Sequence, residues 1–290
     1  MKQKTIGIIA ILGASLMWAI EPIFGKLSYS NSDFLHTSAI RAFFVTLTAL
    51  IYTFATNKGN LKIDKRQFST LVYIGIVGSI FADLLYFYAF TKIPVVNAVL
   101  IGHMQPIFII FIAFFILKED KLTKFDYFGI FLMIMAGLLV TTRTFENLSM
   151  LRLGTFGDLL VLLATIAWAT TAIAMRKYLK NMNAGVVAFY RFFIASSFFA
   201  VYLLYTSSIT ISNIYQVLVG IVVGIGTILY YEGLKRLKAA QVGALELSTP
   251  FFAAILSFFI LGETTTFMQI IGITLLFVGV YLLSKHEENI

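Results

Sequence analysis

The chain has 290 residues, of which 59% are hydrophobic and 12% are charged, and its formal net charge is +8 at pH 7. A soluble domain is about 45–50% apolar and about 25% charged, and one of this length cannot bury so much apolar surface, so a soluble protein is excluded. The positive charge does not indicate nucleic acid as a partner, because the basic residues flank apolar runs as they do in membrane proteins.

Ten apolar runs follow one another along the chain, each close to the roughly 20 residues that a helix needs to cross a bilayer. They cover residues 6–28, 34–56, 68–90, 94–117, 124–143, 155–176, 183–206, 213–236, 239–261 and 267–284. The runs lack the alternation of apolar and polar residues that is typical of β-barrel strands. Lys2 and Lys4 before the first run resemble a signal peptide, but Glu21 and Pro22 stand where a small-residue cleavage site is expected. We therefore predict an all-α integral membrane protein with ten transmembrane helices.

The lysines and arginines provide a test of this helix count. With ten spans and a cytoplasmic N-terminus, 16 of the 22 basic residues fall on the cytoplasmic side and four on the other, namely Lys26, Lys92, Arg143 and Arg152. Short cytoplasmic loops are enriched in Lys and Arg, and a wrong helix count would mix the two groups. We expect a multi-pass protein of the cell membrane, with the bilayer as its surroundings and both termini in the cytoplasm.

Like residues recur at a nearly constant offset in the two halves of the sequence. The pairs are Trp18 and Trp168, Arg41 and Arg191, Pro106 and Pro250, and the segments Phe114–Glu119 and Phe258–Glu263. Five helices per half is an odd number, so the second half must enter the membrane from the opposite side. We predict two inverted five-helix repeats, residues 1–148 and 149–290, with a substrate site near the midplane between them.

These paired residues resemble the ten-helix EamA-type members of the drug/metabolite transporter superfamily, over essentially the whole chain. The resemblance also rests on the Leu-x-Glu endings at Leu117–Glu119 and Leu261–Glu263. Lys118 replaces the glycine usual in that ending, which Gly262 keeps, so a different turn is expected there. The resemblance implies movement of amino acids, other metabolites or drugs, often export, through a cavity lined by central helices of both halves.

Ionisable side chains inside membrane helices are costly, so each is a candidate for function. In the first helix Trp18 and Glu21 share a face beside Pro22, which makes a polar and aromatic stripe. Packing of Trp18 between helices and capping by Glu21 at the outer surface are the alternatives. Glu21 and Asp83 each lie about 15 residues, or ~22 Å, from the predicted cytoplasmic ends of their helices, where Asp83 cannot face lipid.

The further candidates along the chain are Tyr86, His103 and Glu246. Asp83 shares a face with Tyr86, and a structural hydrogen bond to a neighbouring helix is its alternative role. His103 can carry a proton near neutral pH, although a lone histidine is as often a packing residue. Glu246 lies about 7 residues, or ~11 Å, inside its helix, and its alternative role is an ion pair with Arg191 or a nearby lysine.

The predicted substrate-binding or coupling residues are Trp18, Glu21, Asp83, Tyr86, His103, Trp168 and Glu246. They are expected to face a central polar cavity bounded by predicted helices 1, 3 and 4 of the first half and 6, 8 and 9 of the second. Arg41 and Arg191 recur in both halves, and because a substrate site is rarely symmetric we interpret them as scaffold residues that hold helix ends or lipid phosphate. Glu232 is expected to form a local ion pair, and Glu263 to be a cap or a loop anchor.

Three classes of function fit such a protein. The chain has no Walker-type motif, so a transporter here would use an ion gradient or the solute's own gradient rather than ATP. An intramembrane enzyme and a channel are the alternatives, but the sequence has no H-E-x-x-H, G-x-S-x-G or cysteine, and inverted halves with unlike polar groups favour alternating access.

We predict a secondary transporter, not an enzyme, that moves a small metabolite. Four intramembrane acids against two arginines favour an amino acid or an amine as the substrate, or coupling to a proton or cation. No cofactor and no metal are expected, and the direction of transport and the oligomeric state stay open.

Overall fold

The computed structural model describes residues 3–112, 124–152, 154–179, 182–206, 210–237, 242, 245–246 and 248–286. Helix is the only regular secondary structure in these ranges. In chain order the helices are α1 (Gln3–Ser28), α2 (Phe34–Asn57), α3 (Lys65–Ile74), a π-helical segment (Gly75–Ala82), α4 (Asp83–Ala89), α5 (Val95–Gly102), α6 (Gln105–Phe111), α7 (Lys124–Thr142), α8 (Phe145–Ser149), α9 (Phe156–Tyr178), α10 (Ala184–Tyr205), α11 (Ile214–Leu234), α12 (Ser248–Leu261) and α13 (Phe267–His286).

Six helices in the described ranges are long and apolar enough to cross a membrane, when Lys65–Ala89 is taken as one continuous helix. Four shorter apolar stretches, Val95–Ile109, Tyr127–Thr142, Ser248–Leu261 and Phe267–Leu282, fall within four other predicted spans. The all-helical prediction is confirmed, while the count of ten spans and the inverted repeat stay predictions.

The structure differs from the predicted helices at two places that bear on the site. Gly75–Ala82 forms a π-helix, in which hydrogen bonds reach five residues back, and the N–H of Asp83 accordingly bonds the carbonyl of Gly78. The predicted span 94–117 is interrupted at His103, after which α6 begins with Pro106 in its first turn, where proline has no helical hydrogen bond to lose. The apolar pattern of the sequence predicts neither the π-helix nor the interruption at His103. The motif Phe114–Glu119 lies outside the described residues.

The start of α1 and the end of α11 lie at one end of the bundle, which we call the Gln3 end. There Arg236, just beyond α11, donates a hydrogen bond to the Gln3 side chain at the start of α1 (3.1 Å). Arg236 also pairs with Glu232, which binds Lys235 at 3.0 Å, so the predicted local ion pair is confirmed.

The opposite end, which we call the Glu263 end, is held by one carboxylate. Glu263 accepts hydrogen bonds from the Lys26 ammonium (2.6 Å) and from the backbone N–H of Val95 (2.8 Å). These contacts join the last turn of α1, the start of α5 and the α12–α13 connection. Glu263 is therefore the loop anchor that its position at a helix end predicted.

Helices from the two parts of the chain interlock side by side, with α1 against α11 and α2 against both α10 and α11. Gly220 of α11 lies so close to α2 that a Cβ atom added to it would be 2.8 Å from the carbonyl oxygen of Arg41. A glycine permits this close approach of two helix backbones. The contact lies at the position of Arg41 on α2.

Candidate functional site

A cavity of about 200 Å³ lies inside the bundle, and residues of α1, α2 and α4 to α6 line it together with residues of α9 to α11. All seven predicted site residues lie on its wall: Trp18, Glu21, Asp83, Tyr86, His103, Trp168 and Glu246. Their part in binding or coupling stays a prediction. The predicted set of lining helices was incomplete, since Arg41 of α2 and Arg191 of α10 also line the cavity.

A buried ion-pair cluster forms the deepest part of this wall. Arg41 donates from Nη1 to Asp83 (2.8 Å) and from Nη2 to Glu21 (2.7 Å). The exposed fractions of Arg41, Asp83 and Glu21 are 4%, 3% and 8%. Buried carboxylates need a cationic partner or hydrogen bonds, and here one guanidinium serves two acids from two other helices.

This arrangement corrects the interpretation of Arg41 as a scaffold residue that holds a helix end or lipid phosphate. Its guanidinium points into the bundle, with Cζ 4.8 Å from the centre of the Phe87 ring. The ion pairs of Arg41 join three helices and so agree with a scaffold role, but the predicted partners were wrong, because the need of two deep acids for a counter-charge was not weighed. That need is the sequence signal that identifies Arg41 as part of the site.

Asp83 also receives a hydrogen bond from the second part of the chain. The indole N–H of Trp168 on α9 lies 3.0 Å from Asp83 Oδ1 and 3.3 Å from the carbonyl oxygen of Gly78. The Trp168 ring meets the Tyr86 ring edge to face, with 5.0 Å between centroids. Asp83 is thus bound by side chains of α2 and α9. The hydrogen bond to a neighbouring helix, which was the alternative role predicted for Asp83, is therefore present, and Asp83 lines the cavity as well.

A second pair of aromatic rings forms another side of the cavity. The ring centroids of Trp18 on α1 and Tyr230 on α11 are 4.9 Å apart, and both residues are lining residues. Tyr231, its neighbour in sequence, also lines the cavity. Aromatic residues make up 16% of the whole chain, so the sequence alone does not single out these two tyrosines.

His103 lies at the interruption between α5 and α6. Its Nδ1 is 2.8 Å from the carbonyl oxygen of Val99. A carbonyl oxygen only accepts, so Nδ1 must carry the hydrogen, which leaves Nε2 as the acceptor of a neutral ring. The ring therefore satisfies a carbonyl at the helix break and also lines the cavity, while its role as a proton carrier stays a prediction.

Arg191 has different partners from Arg41. Its Nε donates to the Ser79 hydroxyl at 2.7 Å, its Nη1 is 3.4 Å from the Tyr231 hydroxyl, and its Cζ lies 5.0 Å from the centre of the Phe192 ring. The ion pair between Glu246 and Arg191 considered above does not form. No carboxylate contacts Arg191 in the part of the chain that the structure describes. The described residues also hold no group of three or more acids and histidines suited to a metal ion.

Comparisons with known proteins agree with this architecture. The sequence profile of the EamA-like transporter family matches residues 5–142 and again residues 155–285. An uncharacterized transporter of Bacillus subtilis (strain 168), YyaM, is 28% identical over 245 residues, which cover 81% of this chain and 78% of that protein. An uncharacterized transporter of Methanothermobacter thermautotrophicus is 24% identical over 302 residues, covering 97% and 87% of the two chains. A solved crystal structure matches with a TM-score of 0.69 at 16% identity, over 97% of this chain and 98% of that one, which shows the fold alone.

Proposed function

Because the chain belongs to the EamA-like transporter family, as its paired residues predicted, we propose that it is a secondary transporter that moves a small metabolite by alternating access. The family and the transporters similar to it point away from an enzyme. The observation that carries the proposal is a charged cavity inside the bundle, lined by residues of both parts of the chain and closed by packed side chains at one end.

The closure lies at the Glu263 end. Phe90, Ile93 and Val95 lie between the cavity and that end, and each is at most 3% exposed. Lys26 and Glu263 tie the helices beyond them. In contrast, the lining residues of α9 run from Trp168 to Met175, towards the Gln3 end, where α9 finishes. We propose that the cavity opens at the Gln3 end, which would be one of the two states that alternating access requires.

The topology belongs to the same proposal: ten spans as two inverted halves, residues 1–148 and 149–290, in the cell membrane with cytoplasmic termini. The distribution of basic residues and the two stretches matched by the family profile support it. The cavity would then open to the cytoplasm. Reporter fusions at Asn31, Glu146 and Ser208 should report the outside and fusions at Asn60 and Asn181 the inside, and one fusion on the wrong face refutes the ten-helix topology.

The ion-pair cluster suits a coupling role. Two carboxylates share one guanidinium, so protonation of Asp83 or Glu21 weakens one ion pair without leaving Arg41 alone. Asp83 contacts both parts of the chain through Arg41 and Trp168, so its charge state bears on how they pack. We therefore assign proton coupling to Asp83 and Glu21, and substrate contact to Trp18, Tyr86, His103, Trp168 and Glu246.

Proteoliposomes that contain the purified protein test the proposal with a panel of radiolabelled amino acids and amines. Wild-type vesicles should take up at least one member when a proton gradient is imposed, and should exchange it without a gradient. Asp83→Asn should abolish gradient-driven uptake and spare exchange. Glu146→Gln, which changes an exposed acid of α8, is the matched control and should leave both unchanged.

Two results would refute parts of the proposal. If no member of the panel enters wild-type vesicles faster than protein-free vesicles, transport of this substrate class is wrong. If Asp83→Asn keeps full gradient-driven uptake, transport stands and the coupling role of Asp83 is wrong.

A further inference from the structure

The two arginines of the cavity differ in how much of their hydrogen-bonding capacity the protein uses. Arg41 is 4% exposed, and its two Nη atoms are each bound to a carboxylate. Arg191 is only half-buried, and it donates to two neutral hydroxyls, those of Ser79 and Tyr231. Arg41 is bound by two carboxylates inside the protein, whereas the described residues bind Arg191 through hydroxyl groups.

A guanidinium has five N–H donors in a planar fork, and the two hydrogen bonds of Arg191 leave most of the fork unused. A charge inside a membrane bundle is costly unless it meets a counter-charge or water. The described residues bring no carboxylate within ion-pair distance of Arg191. A carboxylate in the cavity would match the fork with two parallel hydrogen bonds, which is the strongest pairing open to it.

The acids of the cluster are poorly suited to bind a cation. Glu21 and Asp83 already accept from Arg41, and Asp83 accepts from Trp168 as well. An amine would have to displace a buried guanidinium from one of them, and would leave Arg41 with a single partner. The charged group that a bound molecule can pair with most readily in this cavity is therefore the Arg191 guanidinium. Its positive charge favours an anion as the bound molecule.

The rest of the wall limits what the anion carries. Rings of Trp18 with Tyr230 and of Trp168 with Tyr86 line the same cavity, whose volume is about 200 Å³. Such a space suits a small molecule with an apolar or aromatic body better than a highly charged one. We infer that Arg191 binds the carboxylate of the substrate, and that the substrates are small monocarboxylates with an apolar body, free amino acids included.

This inference rests on the proposed transport function and names the substrate class of the same site. It also narrows the prediction from sequence, which favoured an amine because acids outnumber arginines. The count was right, but three of the four acids are bound to an arginine within the protein, Glu21 and Asp83 to Arg41 and Glu232 to Arg236. Glu246 also lines the cavity, so the test must separate the effect of an amino group from that of a carboxylate.

The chain has two tryptophans, and both line the cavity, so the intrinsic fluorescence of the protein reports directly on its occupancy. The probes are three matched sets: alanine, propionate and ethylamine; leucine, isocaproate and isoamylamine; phenylalanine, 3-phenylpropionate and phenethylamine. Within a set only the carboxylate or the amino group changes. Binding is titrated with purified protein, and uptake of the same compounds is measured in vesicles.

In at least one set, the wild type should bind the two carboxylates at least about 10-fold more tightly than the amine, as expected for a charge-assisted bidentate contact. Arg191→Gln should remove this preference. Arg191→Lys keeps the positive charge but not the planar fork, so it should retain part of the preference for carboxylates. This variant provides the test if Arg191→Gln folds poorly. Arg66→Gln, which changes an exposed arginine at the start of α3, is the control and should bind like the wild type.

Equal binding of acids and amines by the wild type overturns the inference, as does the absence of binding in all three sets. An Arg191→Gln or Arg191→Lys protein that keeps the full preference of the wild type also overturns it. Uptake of carboxylates that is unchanged by Arg191→Gln would leave transport standing and remove the carboxylate subsite. Carboxylate binding without uptake would support the carboxylate subsite and refute the transport function. The two proposals can therefore fail separately.

Discussion

Trp168 donates its indole N–H to one oxygen of Asp83 at 3.0 Å, while Arg41 donates to the other oxygen at 2.8 Å. Arg41 and Asp83 lie within residues 5–142 and Trp168 within residues 155–285, the two stretches that match the family profile. One carboxylate therefore belongs to the hydrogen-bond networks of both. A movement of one part against the other must change the partners of Asp83.

Trp168→Phe tests that link, because it removes the N–H and keeps a ring against Tyr86. A hydrogen bond to a charged group contributes about 1.5–3 kcal/mol, so we expect the exchange rate of the transported solute to change by about 10-fold or more. Trp18→Phe is the matched variant, since the Trp18 indole donates no hydrogen bond within the described ranges, and it should have the smaller effect. Equal effects of the two variants would mean that the bond to Asp83 contributes nothing to transport.

Arg41→Gln should destabilise the protein more than any other single change in the cavity. It leaves two buried carboxylates without their counter-charge, which costs about 3–5 kcal/mol when one partner of a buried pair is removed. Thermal unfolding in detergent, followed by size-exclusion chromatography, measures the loss. The triple variant Arg41→Gln, Glu21→Gln, Asp83→Asn removes all three charges and should recover most of the stability. An Arg41→Gln protein as stable as the wild type contradicts the buried cluster.

Glu263→Gln should loosen the Glu263 end. The Lys26–Glu263 pair is partly exposed, at 22% and 15% of the two side chains, so its loss should cost no more than about 1 kcal/mol, or about a fivefold change in an opening equilibrium. The chain has no cysteine, so a Val99→Cys background allows thiol labelling from that side without other reactive sites. Labelling should accelerate in Glu263→Gln and not in Glu146→Gln. Unchanged labelling would exclude the ion pair as a closure.

Gly220→Ala should destabilise the contact between α2 and α11. Its Cβ would lie 2.8 Å from the carbonyl oxygen of Arg41 and 2.6 Å from Cβ of Phe44, and overpacking of this kind costs about 1–3 kcal/mol. Gly102→Ala is the matched control for stability, because the nearest atom to its Cβ, in Trp168, would be 3.8 Å away. The melting temperature should fall for Gly220→Ala alone. Equal melting temperatures of the two variants would show that α2 and α11 accommodate the added methyl group without strain.

The helices themselves could be predicted closely from apolar runs, because burial in lipid requires little more than length and hydropathy. The predicted spans 34–56 and 155–176 differ by at most two residues from Phe34–Asn57 and Phe156–Tyr178. The interruption at His103 was missed, although Gly102 and Pro106 on either side are residues that often mark one. Hydropathy averages over a whole span and so passes over a break of one or two residues.

For the cavity, the depth of a residue was predictable and its partner was not. The rise per residue placed Glu21 and Asp83 deep in the membrane, and both lie on the cavity wall. Which cation they meet depends on how α1, α2 and α4 are rotated about their axes, and no spacing within one helix contains that rotation. The different roles of Arg41 and Arg191 had to come from the structure for the same reason.

The π-helical segment Gly75–Ala82 has a consequence for how the cluster is built. Each residue of an ordinary α-helix turns the chain by about 100°, and a π-helical turn accommodates one residue more than an α-helical turn. The surplus residue lies in the segment that ends at Asp83, so winding the same residues as an ordinary α-helix would rotate Asp83 by roughly that angle relative to α3. The direction of this carboxylate therefore depends on the π-helical winding of the residues before it: a chain with every residue type of the site intact, but with this segment wound as an α-helix, would aim it at a different neighbour.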